Sequence, residues 1–244
     1  MPAPRQPSWL TARLRRVRAR LRGLSYFFRS PHTPDESRFG YQPQHIHYQF
    51  KPGANVLDIG SGNDPFVHAT VIADRFVEPT HHRSTRFQTA GKPLVICDIQ
   101  ALPFARSSFD YVICSHVLEH VDNPILACSE LQRVAAAGFV ETPTLMKDAL
   151  FSWARGMHKW HVIAVARRLV FFEYGPRQLD GIASQAWWDL IFGPVYHPMQ
   201  DAFNNNQDLF NVMLEWNSDF EVMVMRLDGS IESVGDQSSA RHLH

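Results

Sequence analysis

The chain has 244 residues, 45% hydrophobic and 20% charged, enough for one α/β domain or a domain with an appendage. Lysine plus arginine and aspartate plus glutamate both number 24, so net charge selects no acidic or basic partner. Three cysteines, none in a C-x-x-C pair, argue against a cysteine zinc site and point to reduced thiols in a reducing, cytoplasmic setting.

Residues 1–30 stand apart. Leu10, Leu14, Val17, Leu21 and Leu24 recur at steps of four and three, one stripe of a helix, while Arg13, Arg15, Arg16, Arg18, Arg20 and Arg22 lie largely off it. Such a basic amphipathic helix can pack on its own domain, lie on an anionic membrane surface, or serve as a targeting presequence. It lacks the apolar core of a secretory signal, and no run in the chain nears the roughly 20 apolar residues of a membrane span. Residues 31–52, opening with "RSPHTPDES", read as a linker and lead-in.

From residue 53 the chain alternates. "NVLDIG", "ATVIAD", "PLVICDI", "FDYVICS" and "GFVETP" are short apolar runs suited to buried strands. "NPILACSELQRVAAA" between the last two has a helical pattern that takes in its alanines. Strands alternating with turns and helices predict a mostly parallel sheet with helices around it. Beyond Pro143, "HKWHVIAVARRLVFFEYG" predicts a hairpin around Arg167–Arg168. "LFNVMLEWNSDFEVMVMR" predicts a second strand pair turning at Asn217–Asp219, and "SQAWWDLIFG" a helix. The tail 232–244 is polar and expected to fray.

Chemistry concentrates after the first strand, in Asp58, Gly60, Ser61, Gly62, Asn63, Asp64 and Pro65. A dinucleotide loop needs a third glycine at a helix start, and a P-loop needs Lys-Ser/Thr; both are missing. Two aspartates beside a pyrophosphate would set like charges together. A phosphate-free, cationic cofactor removes that conflict, and S-adenosylmethionine, with its sulfonium and ammonium, is one. The glycines then let the backbone approach it without a Cβ in the way.

"VLDIGSG" together with "DIQALPFARSSFDYVICSHVLEHVDNP" resembles, in order, the motifs of class I SAM-dependent methyltransferases, in the small-molecule branch carrying Leu-Glu-His-Val. The resemblance covers roughly residues 53–144. It implies a Rossmann-like core over 53–144, with residues 145–231 completing the sheet and adding substrate-side hairpins and helices. It implies that Asp58, Gly60, Ser61 and Gly62 line the methionine part of the cofactor. Asp74 would grip the ribose, with Glu78 its competitor, Asp98 and Ile99 would hold adenine, and Ser115 and His116 would border the methyl. The short gap after Gly62 predicts a first helix of about one turn (~4 residues), and "RVAAAGFVETP" lacks the family's Pro-Gly-Gly turn.

"HVLEH", His116–His120, also spells H-x-x-E-H, a zinc-peptidase pattern that requires both histidines on one helix. Here it follows a strand, so no metal site is expected. His81–His82 are adjacent, and His158 and His161, at odd spacing, would face apart on a strand. Methyl transfer needs alignment and, for an O–H or N–H acceptor, a base. His116, His120, His158 and Glu141 are candidates, and no catalytic residue is singled out. The expected acceptor is a small or lipid-like molecule, walled by the C-terminal extended segments and the Trp187–Trp188 helix, with the N-terminal helix able to touch an anionic membrane; aromatics there such as Trp153, Trp160, Phe171 and Phe172 are more often core than a substrate cage, though a bulky acceptor would suit them. Two other functions compete: an inactive, partner-binding relative, and a nucleic-acid methyltransferase, against which neutrality and the missing Asn/Asp-Pro-Pro-aromatic motif both weigh.

Overall fold

The computed structural model describes residues 13, 17, 18, 38–78, 86–151, 156–176 and 185–235. Most of the basic N-terminal segment, His81–His82, Trp153 and the tail beyond 235 lie outside the described residues. Within that segment Arg13, Val17 and Arg18 are helical, and Val17, a stripe residue, is 47% exposed.

Helix α1 (Arg38–His45) sits in the segment expected to be a linker. Strands β1 (Val56–Ile59), β2 (Val71–Asp74), β3 (Leu94–Ile96), β4 (Phe109–Ser115) and β5 (Ala135–Pro143) follow, all five at the apolar runs expected to be strands. Helix α2 (Pro124–Val134) separates the last two. The five strands pair in parallel in the order β3-β2-β1-β4-β5, and β8 (Asn211–Asn217) joins antiparallel at the β5 edge. β1 is buried along its whole length because both faces of the sheet are covered. Alternation divides the sheet's side chains between two clusters. Leu57, Ile59, Val112 and Cys114 pack with Ala127, Cys128 and Leu131 of α2. Val56, Tyr111, Ile113 and Phe139 pack on the other face with Phe66, Tyr48 and Phe50.

α2 begins at an Asn123 N-cap, whose side chain accepts from the Leu126 N–H, with Pro124 in the first turn. It ends sooner than its alanines suggest. Ala135 is already extended at φ −133°, and Ala135–Ala137 are the start of β5. With no Pro-Gly-Gly turn, the helix runs directly into the strand, because β4 offers Phe109 and Tyr111 as pairing partners for Ala135 and Ala137. The expected one-turn helix after Gly62 is absent: residues 63–70 form turns only.

The hairpin around Arg167–Arg168 is present as β6 (Trp160–Val165) and β7 (Arg168–Glu173). Helix α3 (Leu145–Leu150) follows β5, α4 (Gln185–Phe192) falls where "SQAWWDLIFG" predicts it, and α5 (Pro198–Asn205) and α6 (Gln207–Phe210) lead to β8. The second strand pair is not a hairpin. β8 covers the β5 edge, whereas β9 (Glu221–Met225) crosses to a second sheet, β10-β9-β7-β6, and pairs parallel with β7. The separation follows from the edge: seven β8 residues satisfy backbone groups that β5 would otherwise leave open. β10 (Ile231–Val234) pairs antiparallel with β9, so the first part of the expected frayed tail is ordered strand. Trp160, Val162, Leu169 and Phe171 of this sheet share the α2-side core, which makes Trp160 and Phe171 core residues rather than a substrate wall.

Candidate active site

Ligands of an open parallel sheet gather at the strands' carboxyl ends, where the strand order reverses. Here that is between β1 and β4. The loop leaving β1 carries Gly60 at φ +70° and Gly62 at φ +58°, both in the left-handed region. At Gly60 space is also decisive, since an added Cβ would stand 2.2 Å from Val117 Cγ2.

The loop is braced by the two acids expected there. Asp58 is fully buried, and its Oδ2 accepts from the Phe66 N–H at 2.8 Å. Asp74, at the end of β2, accepts from the N–H groups of Gly62 at 3.1 Å and Phe76 at 2.8 Å. The competitor, Glu78, is an exposed loop residue. Asp98 caps the 3-10 turn Ile99–Ala101, accepting from the Gln100 N–H at 2.9 Å, and pairs with Arg75 at 3.0 Å. Ile99 is buried beside it. Ser61 Oγ is buried and has no hydrogen-bond partner among the described residues. An orphaned hydroxyl between two positive-φ glycines, flanked by acids, suits a phosphate-free nucleoside with cationic groups.

Ser115 and His116 end β4 but differ in surroundings. Ser115 is buried and donates to Glu141 Oε2 at 2.5 Å. Glu141 also accepts from Tyr41 Oη at 2.8 Å and from Gln42 Nε2, while Tyr48 Oη donates to Gln42 Oε1 at 2.5 Å. Tyr41, Gln42 and Tyr48 were not anticipated from sequence, because the segment bearing them has neither strand nor helix periodicity linking it to β5. His116 adopts φ +55°, donates its N–H to Glu141 O at 2.9 Å, and keeps a side chain 31% exposed.

Beyond it, Leu118–His120 form a single 3-10 turn, so the H-x-x-E-H run is not on one helix, as the sequence predicts. The chain nevertheless gathers its own acid–base cluster. Lys159 N–H donates to Glu119 O at 2.7 Å and Trp160 Nε1 to Val121 O at 2.7 Å, tying the start of β6 to this turn. His158 is thereby delivered to Glu119 and His120. Among the described residues, the ligand atoms of Glu119, His120 and His158 lie within 4.8 Å of one another. Burial opposes ionisation of Glu119, but a hydrogen bond from His116 and the nearby His120, His116 and His158 outweigh it and hold the carboxyl at about 2. Burial also works against a charged His158; the Asp148 hydrogen bond and the charges of Glu119 and Asp148 win and raise its pKa. His161 faces away, stacked on Phe172, as the odd spacing requires.

Comparison with known proteins agrees with this geometry. Residues 57–138 match the family described as a methyltransferase domain. The ubiquinone/menaquinone biosynthesis C-methyltransferase UbiE of Xanthomonas campestris pv. campestris is 26% identical over 168 residues, 63% of this chain and 64% of that protein. The chain thus spans less than two thirds of that relative's length. Similar solved structures include a SAM-dependent methyltransferase of Thermotoga maritima, 19% identical, with a TM-score of 0.31 over 41% of this chain and 48% of that one. Another is YcgJ of Bacillus subtilis, 24% identical, with a TM-score of 0.31 over 37% of this chain and 44% of that one. No described helix is long and apolar enough to cross a membrane. The family match begins in β1, runs through the Gly-Ser-Gly loop and ends in β5, so residues 57–138, on the parallel sheet, are similar to a methyltransferase domain.

Proposed function

We propose that this protein transfers a methyl group from S-adenosylmethionine to a small-molecule or lipid-like acceptor. The observation that carries the reading is the loop after β1, with its two left-handed glycines, the Ser61 hydroxyl that has no partner among the described residues, and the bracing carboxylates of Asp58 and Asp74. Gly60, Ser61 and Gly62 would hold the amino-acid end, with Asp58 supplying negative charge beneath it. Asp74 would accept from the ribose hydroxyls, and Asp98 and Ile99 would hold the adenine. When bound there, the cofactor supplies a methyl on a sulfonium, activated for in-line displacement.

The chain's own part is alignment and proton handling. Of the four candidate bases, Glu141 is fully buried under three donors and the His158 side chain, 7% exposed, is held by Asp148. His116, half-open at the end of β4 and 3.4 Å from Glu119 Oε1, is the group best set to take a proton from an acceptor O–H or N–H. The name of the Xanthomonas relative concerns quinone biosynthesis, which accords with an acceptor that has an apolar body.

The test is calorimetric titration of the full chain with S-adenosylmethionine and S-adenosylhomocysteine, beside an Asp58→Ala variant checked for folding by circular dichroism. Micromolar binding that the variant loses supports the reading. A folded wild type that binds neither compound overturns it in favour of a partner-binding relative. Flotation with anionic vesicles tests peripheral membrane contact through the Arg-rich segment, and absence of binding removes that part of the proposal.

A further inference from the structure

The methyltransferase reading leaves the Glu119 cluster largely unused. Glu119 is almost fully buried, and its Oε2 has no hydrogen-bond partner among the described residues. His120 Nδ1 lies 3.1 Å from Met157 O; a carbonyl only accepts, so this nitrogen carries the hydrogen and Nε2 carries the lone pair. That Nε2 stands 3.8 Å from Glu119 Oε1. Two Lewis bases thus face each other, the carboxylate buried and the imidazole partly exposed. His158 repeats the arrangement: its Nδ1 lies 2.9 Å from Asp148 Oδ1, leaving Nε2 as the second imidazole donor. Asp148 is itself buried and held by Tyr174 Oη at 2.9 Å.

A carboxylate or backbone carbonyl behind each imidazole is the support that metal-ligating histidines require, since it fixes the tautomer and the ring direction. We propose that Glu119, His120 and His158 form a binding site for a divalent first-row transition-metal ion, with Asp148 and Met157 O orienting the two histidines. Two imidazoles and one carboxylate favour borderline ions such as Zn²⁺ over Mg²⁺, which prefers oxygen ligands at near-ideal octahedral geometry. Three protein ligands leave a coordination position open for water. His120, 29% exposed, offers a route of entry. Bonds of about 2.0–2.2 Å require the ligand atoms to draw in from the 4.8 Å limit, which the 3-10 turn of Leu118–His120 and the half-exposed His120 ring can accommodate. The inference does not depend on the methyl-transfer reading.

The full-length protein is stripped with a chelator and titrated with Zn²⁺ in competition with a chromophoric chelator, with and without excess Mg²⁺. One Zn²⁺ per chain is expected, undisturbed by Mg²⁺, together with a Zn²⁺-dependent rise in Tm. His120→Ala and His158→Ala should each lose that binding, Asp148→Asn should weaken it by about 10–100-fold, and His47→Ala, at an exposed position, should leave it unchanged. Circular dichroism of the metal-free variants checks that they fold; should His158→Ala not fold, the half-exposed His120→Asn carries the test. Absence of stoichiometric Zn²⁺ in the wild type, displacement by Mg²⁺, or Zn²⁺ binding that survives both histidine substitutions overturns the proposal. S-adenosylhomocysteine titration of the same stripped protein reads the cofactor pocket separately, so the two readings fail independently.

Discussion

Gly60→Ala isolates what the loop after β1 demands. Two costs add at this position. At φ +70° a residue with a Cβ is strained by about 1–2 kcal/mol. The new methyl also lies 2.2 Å from Val117 Cγ2, well inside the roughly 3.5–4.0 Å of a comfortable carbon contact. Overpacking of this kind costs about 1–3 kcal/mol. The single variant should therefore lose about 2–5 kcal/mol of stability and, if it folds, bind S-adenosylhomocysteine more weakly. Val117→Ala removes the clashing methyl, so the double variant should regain the steric part and keep only the backbone part. The assay is urea unfolding of the four proteins of the cycle, with a favourable coupling of about 1–3 kcal/mol expected between the sites. Simple additivity would mean the Val117 contact does not limit this position. A loss below about 1 kcal/mol in the single variant would mean that the loop does not need glycine at all.

Three further outcomes follow from the same geometry. Glu141→Gln replaces an acceptor of three donors by a group that itself donates, and should cost about 2–3 kcal/mol in urea unfolding; an unchanged midpoint would refute the buried network. Gly138→Ala sets a Cβ 2.6 Å from Val112 O and 2.9 Å from Trp216 Cε2, and should lower stability by about 1–3 kcal/mol, read by thermal melting. Arg133 bonds both oxygens of Glu130 at 2.6 and 2.7 Å and reaches Phe104 O and Leu102 O; this pair, with the Leu102 N–H also bonding Glu130, holds the Glu130 carboxyl below its ordinary value. A depressed folded-state pKa stabilises above the unfolded value and is lost as pH falls through the folded one. The stability gap between wild type and Glu130→Gln should therefore shrink as pH drops below about 4.3, and a gap constant from neutral to acid pH would refute the linkage.

Much of the core was legible because its determinants are local. Asp58, Gly60, Ser61 and Gly62 fall within five consecutive positions, and their residue types restrict backbone and charge by themselves. Parallel strands β1, β2, β4 and β5 announce themselves as apolar runs because both their faces are largely covered, and the edge strand β3 keeps the same apolar pattern although Ile96 is exposed. The alanines after Val134 misled because alanine favours helices, while the pairing that β4 offers overrides that preference. β8 and β9 look like a hairpin from their sequence, yet they part company because an open β5 edge and the second sheet compete for them.

Sequence alone marked the glycine loop after β1 and the acids around it, since glycine conformation, carboxylate charge and strand pattern need only near neighbours. It also indicated that His116–His120 leaves a strand without forming a helix, and the run makes one 3-10 turn. Only the tertiary structure decided that Glu119 and His120 meet His158, a residue whose approach depends on Lys159 bonding Glu119 O and Trp160 bonding Val121 O. The same holds for Glu141, whose partners Tyr41 and Gln42 arrive from a helix about 100 residues away. Such clusters carry no period in the sequence, because what unites their members is the packing of one sheet against another and of α1 over the strand ends.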